Sequence, residues 1–328
     1  MNMQAMQKRN GVRQGLARFL SDYVIIVPII VLIVVFGISG PNFLTGGNAM
    51  NVLRQVSMVA ILAAGQFFII CTGELDISLG SLVSLGGIIF AKGMVDWGMH
   101  PLPAALATFA VCLVCGLLNG VMVTRFRIPS FVATLGMQYI GSGLCYVLTN
   151  AYPVSNIPAE IAWIGRGYLG SVPWPVILML AVFVLITFIS QKTKFGRFVY
   201  AVGGNQEAAH LSGIPVSLIK NAVFLIGGFS SALVGIILVS RLNSGQPGGG
   251  TGMEFQTVIA CVMGGVSLTG GKGKAQGVIL GAIFVGILTN GMTLLDVNSY
   301  YQKVIQGVVL VLAIGVDVYK TQRQANSR

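Results

Sequence analysis

Apolar runs of about 17 to 22 residues, the length at which a helix crosses a hydrocarbon core, recur ten times along this chain. They fall at 22–39, 51–72, 77–95, 102–123, 129–149, 173–190, 219–240, 254–270, 275–292 and 300–317. Only 9% of the 328 residues are charged, against about 25% in an ordinary soluble domain, which excludes a soluble enzyme core. The sequence therefore predicts an all-α, polytopic transmembrane helix bundle of about ten spans. No Ser/Gly linker or shift in composition divides it, so residues 1–328 read as one transmembrane domain. Neither G-x-x-x-x-G-K-[ST] nor a strand-turn-helix G-x-G-x-x-G occurs, so an energy source based on nucleotide has to come from another chain.

The net charge of +11 would point to nucleic acid in a soluble protein, but no basic stripe is interleaved with exposed aromatics, and a nucleic-acid partner is not expected. The basic residues instead alternate with the apolar runs and set orientation. With the N-terminus inside, fifteen of them are cytoplasmic: Lys8, Arg9, Arg13, Arg18, Arg125, Arg127, Lys192, Lys194, Arg197, Lys220, Lys272, Lys274, Lys320, Arg323 and Arg328. Only Arg54, Lys92, Arg166, Arg241 and Lys303 fall outside, and an even number of spans returns the C-terminus to the cytoplasm. The first run lacks an A-x-A cleavage pattern and reads as an uncleaved span. The turns at 73–76 and 270–275 are short enough that re-entrant segments stay open as an alternative. All five cysteines lie in apolar stretches, so neither a disulfide framework nor a metal site is expected.

Gly116 and Gly120, and again Gly277 and Gly281, stand at the G-x-x-x-G spacing that lets membrane helices approach closely. The inner loop, 191–218, is more specific. Asn205 is a favourable N-cap, Glu207 complements the helix dipole in the first turn, Gly213 suits the C′ position and Pro215 stops continuation. A helix of about two turns follows, with Asn205, Ala208, Ala209 and Ser212 on one small-sided face. Such a helix is marginal alone and needs a partner surface; from the residues alone, an ordinary surface connection is equally open.

The run Gly196-Arg197, Ala201-Val-Gly-Gly-Asn205, Ala208-Ala209 and Ser212-Gly213-Ile214 resembles the cytoplasmic signature of the sugar-uptake permeases of ATP-binding-cassette importers, the ribose-, arabinose- and galactose-type group. The similarity continues in Asn51-Val-Leu, Gly73-Glu-Leu-Asp-Ile-Ser-Leu-Gly-Ser81, Pro129-Ser-Phe-Val-Ala-Thr-Leu-Gly136, Ser240-Arg-Leu-Asn-Ser-Gly-Gln-Pro247 and Gly264-Gly-Val-Ser-Leu-Thr-Gly-Gly-Lys-Gly-Lys274. The resemblance implies a non-enzymatic permease in the bacterial plasma (inner) membrane that moves a small hydrophilic solute, a monosaccharide, inward. It implies a second permease subunit, identical or homologous, an extracytoplasmic solute-binding protein and cytoplasmic ATP-binding subunits. The last would dock on Asn205, Glu207, Ala208, Ala209, Ser212, Gly213 and Ile214. ATP is then used by the partner, and this chain binds no cofactor.

One departure stands out: the family often has a second glycine where this chain has Glu74. A carboxylate in a membrane domain tends to face a cavity or a partner, and Glu74 is expected to reach water or a basic group at the inner face. Asp76 is placed to cap the next helix through the amides near Ser78 and Leu79; a direct solute contact is the alternative. Gln66, Asn119, Thr134, Gln138 and Asn290, with Glu74 and Asp76, either line a translocation route or bond between helices. An ion-coupled carrier is the competing class, and it would need carboxylates or broken helices near the midplane; here the acids sit mostly at window ends.

Overall fold

The computed structural model describes residues 25–326, with side chains as far as Tyr319. Lys8, Arg9, Arg13, Arg18, Arg328 and the start of the first apolar window lie outside the described residues, as do the side chains of Lys320 and Arg323. Among the described residues the regular structure is helical apart from one hairpin, β1 (Tyr168–Leu169) antiparallel to β2 (Val172–Pro173). In chain order the helices are α1 (Ile26–Ser39), α2 (Gly46–Cys71), α3 (Leu79–Val95), α4 (Pro101–Thr124), α5 (Ser130–Thr149), α6 (Ala162–Arg166) and α7 (Trp174–Lys192). They continue as α8 (Lys194–Gly204), α9 (Gln206–Leu211), α10 (Val216–Leu242), α11 (Met253–Met263), α12 (Ala275–Leu294) and α13 (Ser299–Asn326).

The helices sort by where their apolar residues fall. A helix that is apolar all round belongs in the interior, and every residue of α2 from Val56 to Cys71 is buried. It is enclosed by α7, α10, α11 and α12. By contrast, α4, α5, α7 and α13 keep Leu, Val and Ile exposed, the surface expected against lipid tails. The predicted close approaches are realised. A Cβ on Gly116 would meet the Phe224 carbonyl of α10, one on Gly120 would meet Asn221, and Cβ atoms on Gly277 and Gly281 would fall on the carbonyls of Gly264 and Ala260.

Among the described residues, seven helices are long and apolar enough to cross a membrane: α2, α4, α5, α7, α10, α12 and α13. The other three windows hold shorter helices, α1, α3 and α11, of 14, 17 and 11 residues. The window 254–270 is the one the structure corrects most. Its helix stops at Met263 because Gly265, at φ +83°, sets a left-handed C′ residue. Gly265 N–H then bonds the Val262 carbonyl (2.9 Å) and Val266 N–H the Cys261 carbonyl (3.0 Å), which is a Schellman motif. Ahead of α11, the segment between Asn243 and Gly252 carries Gly245, Gly248, Gly249, Gly250 and Gly252 and is not helical. It enters the bundle at Gly245, Pro247 and Gly250, which are buried: Gly245 bridges Val154, and Gly250 N–H donates to Ser84 Oγ at 2.9 Å. Non-helical backbone at this depth is tolerated only where protein satisfies it.

Loops gather at two opposite ends. One end collects the turn after α2, the loop before α12, and α8 with α9: Gly271 N–H donates to the Cys71 carbonyl at 3.0 Å, and Gly203 lies on the same carbonyl. The other collects 150–172 with Asn243 to Gly245 and the Asn48–Asn290 pair, and there Arg54 stacks 4.6 Å over the Tyr168 ring.

Candidate functional site

At the first of these ends, the turn from Thr72 to Ser78 is held by hydrogen bonds from α2, α4 and α5. Gly73, at φ +81°, ends α2, with Gly73 N–H on the Ile70 carbonyl (2.9 Å) and Glu74 N–H on the Ile69 carbonyl (3.2 Å). The next amides are held from α5: Leu75 N–H donates to Ser130 Oγ (3.1 Å) and Ile77 N–H to Thr134 Oγ1 (3.2 Å). Asp76 is fully buried, and its Oδ1 accepts from Ser78 N–H (2.7 Å) and Ser78 Oγ (2.6 Å). Its Oδ2 accepts from Asn119 Nδ2 at 3.4 Å, and that amide also donates to Ser78 Oγ at 2.9 Å. The expected cap is thus corrected in form. Ser78, with no side-chain cap bond, is the N-cap of α3, and Asp76 folds back on Ser78 as an Asx turn one step earlier, without reaching the Leu79 amide.

Glu74 has the basic partner that was expected as one of two choices. It pairs with Lys220, in the second turn of α10, and the same ammonium donates to Gln206 Oε1 of α9 at 2.6 Å.

Helix α9 follows its sequence signals closely. Asn205 Oδ1 accepts from Ala208 N–H (2.9 Å), Glu207 occupies the first turn, and Gly213 sits at φ +80°. Ile214 N–H closes the Schellman bond to the Ala209 carbonyl at 3.0 Å. The proposed shared face, however, divides. Ala208 is exposed with Glu207 and Ser212, while Ala209 is 5% exposed and packs into the bundle. Leu211, not singled out from the sequence, is 81% exposed at the end of the helix. The sequence predicts loop before α9, but Thr193 Oγ1 accepts from Gly196 N–H (3.2 Å) and starts α8, whose Val199 and Val202 are buried. Burial pushes the Tyr200 hydroxyl of α8 from 10.0 to about 12, so it remains a donor, bonded to the Gly273 carbonyl at 2.9 Å.

A profile described as "Branched-chain amino acid transport system / permease component" matches residues 48–314. The chain belongs to this permease family. The permease is 37% identical to the ribose import permease protein RbsC of Bacillus subtilis (strain 168) over 324 residues, covering 97% of this chain and 98% of that one. It is 40% identical to RbsC of Escherichia coli (strain K12) over 315 residues, 95% of this chain and 98% of that one. It is 34% identical to the L-arabinose ABC transporter permease protein AraH of Azospirillum brasilense over 314 residues, 95% of this chain and 92% of that one.

Of the polar residues proposed for a route through the permease, the fold brings Glu74, Asp76, Asn119 and Thr134 together around one turn. Gln138, further along α5 than Thr134, donates to Glu254 Oε1 (3.3 Å) of α11. Asn290 stands apart at the opposite end, in a reciprocal amide pair with Asn48 (2.9 Å both ways). Gln66 lies fully buried on α2, with neither side-chain polar atom hydrogen-bonded. Glu254 is the residue that sequence reasoning undervalued. It sits at a window edge in the sequence yet is buried at the start of the short α11, where Gly252 N–H donates to its carboxylate at 3.0 Å. The run of glycines before it was the available signal.

The geometry around Asp76 fixes an expected mutational pattern. In Asp76→Asn, the new carbonyl oxygen still accepts from Ser78 N–H. The new amide nitrogen then meets Asn119, whose Oδ1 has no partner and becomes an acceptor once that side chain flips. Thermal stability should therefore be close to wild type. Asp76→Ala strands the Ser78 amide and Asn119 and should cost about 1–3 kcal/mol. A melt of the purified variants checks this; equal losses in both would show that the negative charge, and not the hydrogen bonds, is what the site requires.

Proposed function

We propose that the permease is the membrane-spanning subunit of an ATP-binding-cassette importer that brings a monosaccharide into the cytoplasm. In this reading the chain crosses the bacterial plasma membrane ten times, the short α11 making its crossing together with the non-helical stretch from Asn243 to Gly252 that precedes it, and both termini are cytoplasmic. The observation that carries the proposal is α9, a capped six-residue helix presenting Ala208 and Leu211 outward. It lies at the end near Lys192, Lys194, Arg197 and Lys220, the end that the distribution of positive charge assigns to the cytoplasm. A helix so short and so exposed on an apolar side chain is suited to insertion into a partner. The partner is a cytoplasmic ATP-binding subunit that supplies the nucleotide chemistry, and the permease itself binds no cofactor. A second permease subunit and an extracytoplasmic binding protein complete the assembly. A sugar is the solute because the relatives above carry ribose and arabinose in their names.

Asp76 and Glu254, buried at the starts of two short helices, are also what an ion-coupled carrier would use. Uptake into proteoliposomes holding the permease, its ATP-binding subunit and its binding protein separates the two. Labelled ribose, arabinose, xylose and galactose are the probes. The importer requires internal ATP and is indifferent to ionophores, whereas uptake that ignores ATP and stops with the ion gradient would establish the carrier. A thermal-shift panel on the binding protein identifies the sugar, since binding raises the melting temperature.

A further inference from the structure

Lys220 is only 7% exposed, and its ammonium joins two elements far apart in the chain. One partner, Glu74, lies in the turn after α2, 146 residues earlier; the other, Gln206, is the first residue of α9. Stability is a weak reason for such an arrangement, because a buried ion pair is often no better than a well-packed apolar pair of the same volume. Its connectivity is more informative. On α9, the side-chain bonds of Asn205 and Ser212 close on the helix itself, at the Ala208 amide and carbonyl, whereas that of Gln206 leaves it. Beyond Glu74, the next residues are fastened one after another, Leu75 to Ser130, Asp76 to Asn119 and Ile77 to Thr134.

We infer that Lys220 is a positioning residue that transmits displacement of α9 to the turn from Thr72 to Ser78, and through it to α4 and α5. The inference rests on the proposal that α9 docks the ATP-binding subunit. A movement of Gln206 carries the ammonium, the ammonium carries the Glu74 carboxylate, and the backbone at 75–77 passes the shift to Ser130, Thr134 and Asn119. No bond of this path needs to break for the coupling to act.

The test uses the complete transporter in proteoliposomes and reads sugar taken up per ATP hydrolysed, a ratio that a purely structural contact would leave alone. The double variant Glu74→Gln with Lys220→Met removes the link without stranding a buried charge. Its ratio should fall about tenfold, within the range of measured coupling between sites, while the complex still co-purifies. The exchange Glu74→Lys with Lys220→Glu should restore most of the ratio, since the Gln206 amide can turn and offer its Nε2 donor in place of Oε1. An unchanged ratio in the double variant would overturn the inference. So would a loss that the charge exchange does not repair, since the fall would then not come from the link between Glu74 and Lys220. Wild-type uptake that is independent of ATP would instead defeat the underlying importer proposal, so the two failures are told apart by the wild-type arm.

Discussion

Ala208→Arg is expected to abolish ATP-driven uptake in a permease that still folds, inserts and resists proteolysis as wild type does. Ala208 is exposed on α9, so within the free chain an arginine there extends into solvent and disturbs nothing; the bonds from Asn205 and Ser212 go to backbone atoms that stay in place. When α9 is inserted in a cleft, the same guanidinium must shed water with no acceptor arranged for it. A penalty of at least about 2 kcal/mol, a thirtyfold or greater loss of affinity, is the size found when an interface anchor fails. Leu211→Ser should weaken the complex by the opposite route, loss of an apolar anchor that is 81% exposed in the chain alone. Co-purification with the ATP-binding subunit, together with uptake, reads both. Ala209→Arg is the wrong probe, because Ala209 already packs against the bundle and its replacement damages the fold itself. Normal uptake in Ala208→Arg would reduce α9 to a connection.

The largest stability effect should come from Gly281→Val. A Cβ at this position falls on the Ala260 carbonyl, and one turn away Gly277 meets the Gly264 carbonyl in the same manner, so α11 and α12 touch backbone to backbone. A side chain can rotate out of a collision, but a main-chain carbonyl in a helix cannot without moving the helix. The two must separate, at a cost of order 3 kcal/mol, a large part of the roughly 5–15 kcal/mol available to a folded domain. Poor recovery of folded protein and a clearly lowered melting temperature are the expected results. Gly143→Val on α5 is the control, since nothing lies within 4 Å of a Cβ there. Equal behaviour of the two variants would mean that the α11–α12 contact is not tight in the membrane.

What could be read from the sequence was local. The G-x-x-x-G pairs, the cap at Asn205 and the helix stop at Gly213 each depend on residues within a turn or two of one another, and each appears in the structure. The early end of α11 was equally local: Gly264-Gly265 carries a stop signal that the surrounding apolar residues concealed. Val266 is buried in the turn that follows, and so it counted toward a span without belonging to a helix. The division between Ala208 and Ala209 was not legible, because a helical wheel groups residues by angle and does not say which flank meets the rest of the chain. The partner of Glu74 was out of reach for the same kind of reason. Nothing in a periodic pattern links position 74 to position 220, and only the packing of α10 beside the turn brings them together. The polar residues proposed for a route fared likewise: the fold gathered four of them at one turn and left Asn290 with Asn48 at the far end.

The enclosure of α2 also sets a timetable for making the protein. From Val56 to Cys71 this helix keeps no surface for lipid, yet two of the helices that cover it, α10 and α12, end only at Leu242 and Leu294. A ribosome adding about 5–20 residues per second needs roughly 10–45 s to travel from Cys71 to Leu294. Until α12 arrives, Ser57 and Gln66 are held in the bilayer without the full set of helices that buries them. The innermost helix of the finished bundle is therefore among the first to enter the membrane and among the last to be covered, and a chain cut short before α12 leaves its centre open to whatever protease patrols the bilayer.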